Sequence, residues 1–205
     1  MEKCKNYKMQ SVEELKSYRD VLIEQLKDEE FIKNSTSNAY HTNMNKLIKC
    51  LTEIKSLSKR IKQFQGEYRW LSNFWNKNVN IVHDGITYTS NENFYQAMKT
   101  KDIDKRIQIS KMTEAEAKAE GKWIEKSHMF RENWTDVKEK VMLFGLRQKF
   151  SNPIMKQKLI DTEDLIIEEG NTWSDVEWGI CLKTGEGQNK LGKLLMKVRS
   201  ELNKE

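Results

Sequence analysis

The chemistry-bearing residues of this chain concentrate in one turn-rich strip, Ile167-Glu168-Glu169-Gly170-Asn171-Thr172-Trp173-Ser174-Asp175-Val176-Glu177-Trp178-Gly179. A buried strand would need a continuous Val, Ile or Leu run. Here Trp173 and Trp178 offer flat apolar faces while Glu169 and Asp175 offer charge, the mixture that a pocket for a small polar aromatic ligand requires. Tryptophan also fills cores, so a structural turn is the competing reading of the strip. Asp175 sits between the two indoles, where a carboxylate either has its pKa raised by desolvation or positions a ligand hydroxyl. Its alternative is a turn-capping Asp.

A second cluster is Ser90-Asn91-Glu92-Asn93-Phe94-Tyr95-Gln96-Ala97-Met98-Lys99. Glu92 falls near the start of a predicted helix, where the dipole favours an ionised carboxylate. A Glu in a first turn also stabilises a helix without further function. Lys99 follows two turns later, about 20° off the same face, with Gln96 between them. One pocket wall could therefore carry all three. A third cluster, Tyr68-Arg69-Trp70-Leu71-Ser72-Asn73-Phe74, supplies Arg69, whose fork of donors suits phosphate, and Asn73, a residue type that usually shapes turns. The loop Gly187-Gln188-Asn189 leads into a helix and can present backbone N–H groups to an anion.

These clusters occur in one order with the ending Gly187-Gln188-Asn189-Lys190-Leu191-Gly192-Lys193-Leu194-Leu195-Met196-Lys197-Val198-Arg199. Taken together, the LSNF turn, the NEN-FYQAMK helix, the EGN-W-D-WG strip and the G-N-LGKLLM-VR ending resemble the NADAR, or YbiA-like, family from about Phe64 to Leu202. The resemblance implies a compact α+β domain, mainly α, with helices around a small sheet region. It also implies an N-glycosidase that splits the bond between a nitrogen and C1 of a phosphorylated ribose without a metal or other cofactor. The implied substrates run from phosphoribosylamino-pyrimidine intermediates of riboflavin synthesis to ADP-ribose attached to guanine in nucleic acid. On the matched motifs Glu92, Lys99 and Asp175 are the candidate catalytic residues. Arg69, Asn73, Phe74, Tyr95, Gln96, Trp123, Asn171, Trp173, Trp178, Gly179 and Asn189 are the candidate substrate-binding residues.

These residue types permit that chemistry. Breaking the bond develops oxocarbenium character at C1, which a nearby carboxylate stabilises while a second polar group activates water. Glu92 is expected to activate water or stabilise the cation, Asp175 to orient ribose hydroxyls, and Trp123, Trp173 or Trp178 to stack on a base. A second route makes Lys99 a nucleophile that forms a Schiff base with the opened sugar, provided burial lowers its pKa. A rival reading is a non-catalytic module that binds ADP-ribose or a nicotinamide dinucleotide derivative.

The elements that must position these residues follow from periodicity. Ser11-Val12-Glu13-Glu14 has capping-box spacing, and Val12, Leu15, Leu22 and Leu26 predict a first helix behind it. The polar stretch Lys33 to Asn38 interrupts the pattern, and Met44, Leu47, Leu51, Ile54 and Ile61 mark a second helix. Residues 1–62 therefore read as a helical hairpin appendage, able to bury its narrow apolar stripes internally, on residues 63–205, or on a second copy of the chain. Val79 to Tyr88 predicts a β-hairpin around Asp84-Gly85. Helices are expected over Asn91 to Lys101, Glu114 to Gly121, Asp136 to Phe150 and Asn189 to Leu202, with Pro153, the one proline, after the third.

Composition limits the remaining function classes. Charged residues make up 33% and hydrophobic residues 37% of 205 residues, within the range of a soluble globular protein. No apolar run approaches the roughly 20 residues of a membrane span, and the first residues lack a signal-peptide core, which points to a cytoplasmic protein. Cys4, Cys50 and Cys181, like His41, His83 and His128, are scattered without disulfide, metal-ligand or Ser-His spacing. Met1 to Gln63 holds 13 Lys/Arg against 9 Asp/Glu, most of the net +5. That surplus suits either a solvated face or attraction of a polyanion such as nucleic acid carrying the substrate.

Overall fold

The computed structural model describes residues 12–28, 32 and 37–204. They fall into two units, residues 1–60 and 61–205. In the first, α1 (Val12–Lys27) and α2 (Ser37–Ser58) pack as an antiparallel pair, with Cys50 Sγ donating to the Leu15 carbonyl at 3.2 Å. Leu15, Leu22 and Cys50 are buried, whereas Leu51, expected on the apolar stripe, is exposed. Ser11 of the expected capping box and Lys33 to Thr36 of the expected break lie outside the described residues. The second helix stops at Ser58, so Ile61 leaves the predicted stripe and closes strand β1 (Arg60–Ile61), where its carbonyl accepts from the Glu168 N–H at 2.8 Å.

The second unit is mainly helical, with strands in two-stranded pieces among the described residues. After a 3-10 helix (Gly66–Leu71), β2 (Ile81–His83) and β3 (Ile86–Tyr88) form an antiparallel hairpin. Its turn places Asp84 at φ 51° and Gly85 at φ 74°, the left-handed pair that Asp-Gly adopts at low cost. The helices are α3 (Asn91–Ala97), α4 (Ile103–Ser110), α5 (Glu114–Ile124), α6 (Trp134–Lys149), α7 (Pro153–Ile160) and α8 (Lys190–Leu202). Strand β4 (Ile166–Ile167) adjoins β1, and β5 (Gly170–Asn171) runs parallel to β6 (Ile180–Cys181).

Two helices went unread in the sequence. Asp102 caps α4 by accepting from the Lys105 N–H at 2.8 Å. Asn152 caps α7, with Pro153 in its first turn, where the missing N–H costs nothing. Helix α3 is shorter than expected: beyond Ala97 the chain turns, Thr100 bridges to Phe130, and the Lys99 carbonyl accepts from the Arg131 N–H at 2.7 Å. Backbone groups that would have continued the helix are thus used to anchor the segment before α6.

All seven residues of α3 are buried. Its neighbours approach closely because they carry glycine at the contacts. A Cβ on Gly121 of α5 would lie 1.7 Å from Gln96 Oε1, and one on Gly145 of α6 would lie 1.8 Å from Asn91 Oδ1. The other end of α6 supplies Lys149, whose side chain is sealed in the core. Its Nζ donates to the carbonyls of Ser72 at 2.7 Å and Leu71 at 3.3 Å, and burial pushes its pKa down to about 7. This amine pins the turn that follows the 3-10 helix.

Lys149→Met, which keeps length but removes the donors, should lower unfolding stability by about 1–3 kcal/mol for each carbonyl stranded in the core. Denaturant titration at neutral pH measures this, and an unchanged midpoint would show that the turn does not depend on the amine.

Candidate active site

A cavity of about 600 Å³ opens in the second unit where α3, α5, α6, the turn after the 3-10 helix and the strip from Glu169 to Trp178 converge. Helix α3 contributes Glu92, Tyr95 and Gln96, and the turn beyond it contributes Lys99. Ser90 starts this helix by accepting from the Asn93 N–H at 3.1 Å. The 3-10 helix supplies Arg69 and the Lys149-held turn after it supplies Asn73 and Phe74; the Asn73 carbonyl accepts from the Glu92 N–H at 3.0 Å, tying that turn to the helix. Tyr95 meets the Trp134 and Trp178 rings at centroid distances of 5.0 and 5.5 Å, making an aromatic wall. Trp173 stands at the mouth with 64% of its surface exposed.

Five carboxylates and four cations line this space. Lys99 Nζ is paired with Glu125 at 2.6 Å and Lys138 with Glu177 at 2.5 Å. Arg69 and Lys118 have no ion-pair partner among the described residues, leaving them free to meet an anionic ligand facing Glu92, Glu169 and Asp175. Glu92 is buried and accepts from Gln96 Nε2 at 2.8 Å; burial raises its pKa, opposed by this bond and by the charges of Lys118 and Lys99. Glu169 is pushed up to about 7, first by burial and then by the Asp175 charge, with Lys118 and Lys149 pulling the other way. Asp175 Oδ1 accepts from the N–H groups of Glu177 at 3.1 Å and Trp178 at 2.9 Å. Its capping role and its place in the pocket wall therefore coexist.

The NADAR domain profile matches residues 58–203. The chain belongs to the NADAR family. Among NADAR relatives, the Vibrio vulnificus riboflavin biosynthesis protein VVA0006 is 33% identical over 65% of this chain and 35% of its own length. The chain thus matches about a third of that longer protein. The Escherichia coli N-glycosidase YbiA is 35% identical over 60% of this chain and 75% of its own. The NMR structure of the E. coli protein YbiA superposes with a TM-score of 0.59 at 30% identity, covering 71% of this chain and 89% of that one. The NADAR fold, mainly α with a few short strands, is accordingly the fold of the second unit.

The cavity brings together ten of the fourteen residues singled out in the NADAR motifs: Arg69, Asn73, Phe74, Glu92, Tyr95, Gln96, Lys99, Trp173, Asp175 and Trp178. Four lie outside its lining. Trp123 is half exposed on α5, under Lys105 Nζ at 5.2 Å, because the buried face of that helix is set by Ala117, Gly121 and Ile124. Asn171 spends its amide on the backbone, donating to the carbonyls of Asp175 at 2.7 Å and Ile180 at 3.3 Å and accepting from the Asp175 N–H. Asn189 accepts from the Glu169 N–H and donates to the Ile167 carbonyl, and its φ of 51° turns the chain into α8. Gly179 lets the Glu169 carbonyl pass where a Cβ would stand 2.2 Å away. These three hold the strip in shape.

Residues that sequence reasoning did not assign to the site include Lys118, Glu125, Trp134, Lys138, Glu169 and Glu177. Glu169 and Glu177 belong to the carboxylate-rich strip, which is the available signal; Lys118, Trp134 and Lys138 lie on helices and Glu125 at the end of one, and no local pattern encodes how those helices are placed. Among the described residues no group of three His, Cys, Asp or Glu side chains could hold a metal ion. No helix among them is long and apolar enough to cross a membrane.

The Glu169 shift carries a stability consequence with a definite sign. A carboxyl whose folded pKa lies above its unfolded value stabilises the fold fully below about pH 4.5, and that contribution is lost as pH rises through about 7. Glu169→Gln should flatten the decline in Tm between those limits, read by thermal scans across pH. An unaltered slope would mean that Glu169 ionises in its ordinary range.

Proposed function

We propose that this chain is an N-glycosidase that hydrolyses the bond between a nitrogen and C1 of a phosphorylated ribose. The observation that carries the reading is the buried Glu92 carboxyl, oriented by Gln96 in a cavity that also holds two cations without an ion-pair partner among the described residues and exposed indole surface. The names of the relatives, N-glycosidase and riboflavin biosynthesis protein, support the same class. Arg69 and Lys118 hold the phosphate, Trp173 stacks on the base, and the second oxygen of Asp175 orients ribose hydroxyls. As the C1–N bond stretches, positive charge grows at C1 and the ionised Glu92 stabilises it, or takes the proton of the attacking water.

The first substrate in this reading is a phosphoribosylamino-pyrimidine. The second is ADP-ribose attached to guanine in nucleic acid, for which the basic surplus of residues 1–63 would supply long-range attraction. Helices α1 and α2 also offer exposed Val21, Ile48 and Leu51 as a surface for self-association.

Glu92→Gln preserves shape and the Gln96 contact but removes the charge, so turnover of a phosphoribosylamino-pyrimidine should fall at least about 100-fold with binding retained. Activity within a few-fold of the parent would remove Glu92 from the reaction, and a parent protein that binds without turnover would be a binding module instead.

The Lys99–Glu125 pair also defines a route through an imine: Glu125 takes an ammonium proton, the Lys99 nitrogen displaces the base from C1, and the sugar ring opens as its oxygen takes a proton and the C1–N bond becomes the imine. Borohydride added during turnover should then leave a covalent sugar adduct on Lys99, located by mass spectrometry. Its repeated absence in a reaction that is turning over assigns the attack to water.

A further inference from the structure

We infer that Glu169 is the acid that protonates the departing nitrogen. The inference rests on the glycosidase reading and extends it, because that reading gives Glu92 and Asp175 other steps and leaves this one without a residue. An amine or amide nitrogen leaves poorly as an anion, so the reaction needs a neutral acid in the same cavity as the stabilising carboxylate.

Glu169 is placed for that step and held rigidly. It lines the cavity with Glu92 and Asp175, its N–H donates to Asn189 Oδ1 at 3.1 Å, and its carbonyl accepts from the Ile180 N–H at 2.9 Å. Its Oε2 is sealed from solvent with no hydrogen-bond partner among the described residues. An ionised carboxylate in that position would have a desolvated, unpaired oxygen, which strongly disfavours the anion. Burial raises the pKa of Glu92 as well, but its Oε1 receives the Gln96 amide at 2.8 Å, a donor to the charged form that Glu169 Oε2 lacks among the described residues. One pocket thus holds a carboxyl with a hydrogen-bond donor to its charged form and a second with a partnerless oxygen, the asymmetry that assigns the first to charge stabilisation and the second to acid.

The charged groups around Glu169 agree in balance. Asp175 from the strip and Glu92 from α3 oppose its ionisation, Lys118 from α5 and Lys149 from α6 favour it, and with burial the acid is pushed up to about 7. In the step itself the C1–N bond breaks and its electron pair passes to nitrogen. That nitrogen takes the Glu169 proton. Water then adds to C1 and gives up a proton, so Glu169 is reprotonated and the sum is hydrolysis.

Leaving-group dependence separates this role from a structural one. With full-length protein, Glu169→Gln should reduce turnover of the phosphoribosylamino-pyrimidine by about 100-fold or more. On 5-phosphoribosyl p-nitrophenyl ether, whose phenolate leaves unaided, the variant should stay within a few-fold of the parent. In the parent, turnover of the nitrogen-linked substrate should decline as pH rises through about 7 while the phenyl substrate shows no such limb, a measurement that does not depend on the variant folding. Equal loss on both substrates, or no loss on either, overturns the acid role, as does a parent profile without the alkaline decline. A parent that cleaves neither substrate defeats the glycosidase reading and this inference together, whereas cleavage of both with identical pH profiles defeats this inference alone.

Discussion

The burial of a polar helix constrains everything around it. Helix α3 has Asn91, Glu92, Asn93 and Gln96 among its seven residues, and all are buried. Each polar group removed from water costs unless a partner is supplied. Asn93 donates to the carbonyls of Ile109 and Met112 and is bonded to Ser90; Asn91 donates to Asn73 and to the Met142 sulfur; Gln96 donates to Glu92. These partners come from the end of α4, from the turn after the 3-10 helix and from α6. The packing of the unit is in large part the set of placements that gives these amide donors their acceptors, while Asn91 Oδ1 and Gln96 Oε1 remain buried without a partner among the described residues.

That arrangement also explains why the glycines stand where they do. Helices α5 and α6 meet α3 at Gly121 and Gly145, where any side chain would collide with Gln96 or Asn91. The close approach narrows the space above α3 and directs Lys99, Lys118 and Glu125 to one cavity. Lys149 does the equivalent task from below, trading the desolvation of an amine for a fixed turn at Leu71 and Ser72. A carboxyl as well buried as Glu92 is tolerable only inside such a network, where burial raises its pKa and the Gln96 amide opposes that shift.

The strip from Glu169 to Trp178 shows how structural and chemical duties are divided within one segment. Asn171, Gly179 and Asn189 are occupied with its backbone, and Asp175 Oδ1 caps its turn. Glu169, Trp173 and Trp178 are left facing the cavity. The residues that make the motif recognisable are therefore of two kinds, and the first is what allows the second to be rigid.

Local sequence determined those features whose physics is local. Asp84-Gly85 specifies its hairpin turn because both residues tolerate positive φ, and the ordered clusters from the LSNF turn to the final helix marked the family and most of the cavity wall. Periodicity located α5, α6 and α8 closely, since their apolar faces repeat at helical spacing. Tertiary structure alone decided that α3 stops at Ala97, because the competing partners are Phe130 and Arg131, some thirty residues away. It also turned Trp123 outward, paired Lys99 with Glu125, and left one oxygen of Glu169 sealed and without a partner among the described residues. Burial and the choice of hydrogen-bond partner are properties of what packs against a residue, and a neighbour distant in sequence leaves no local trace of itself.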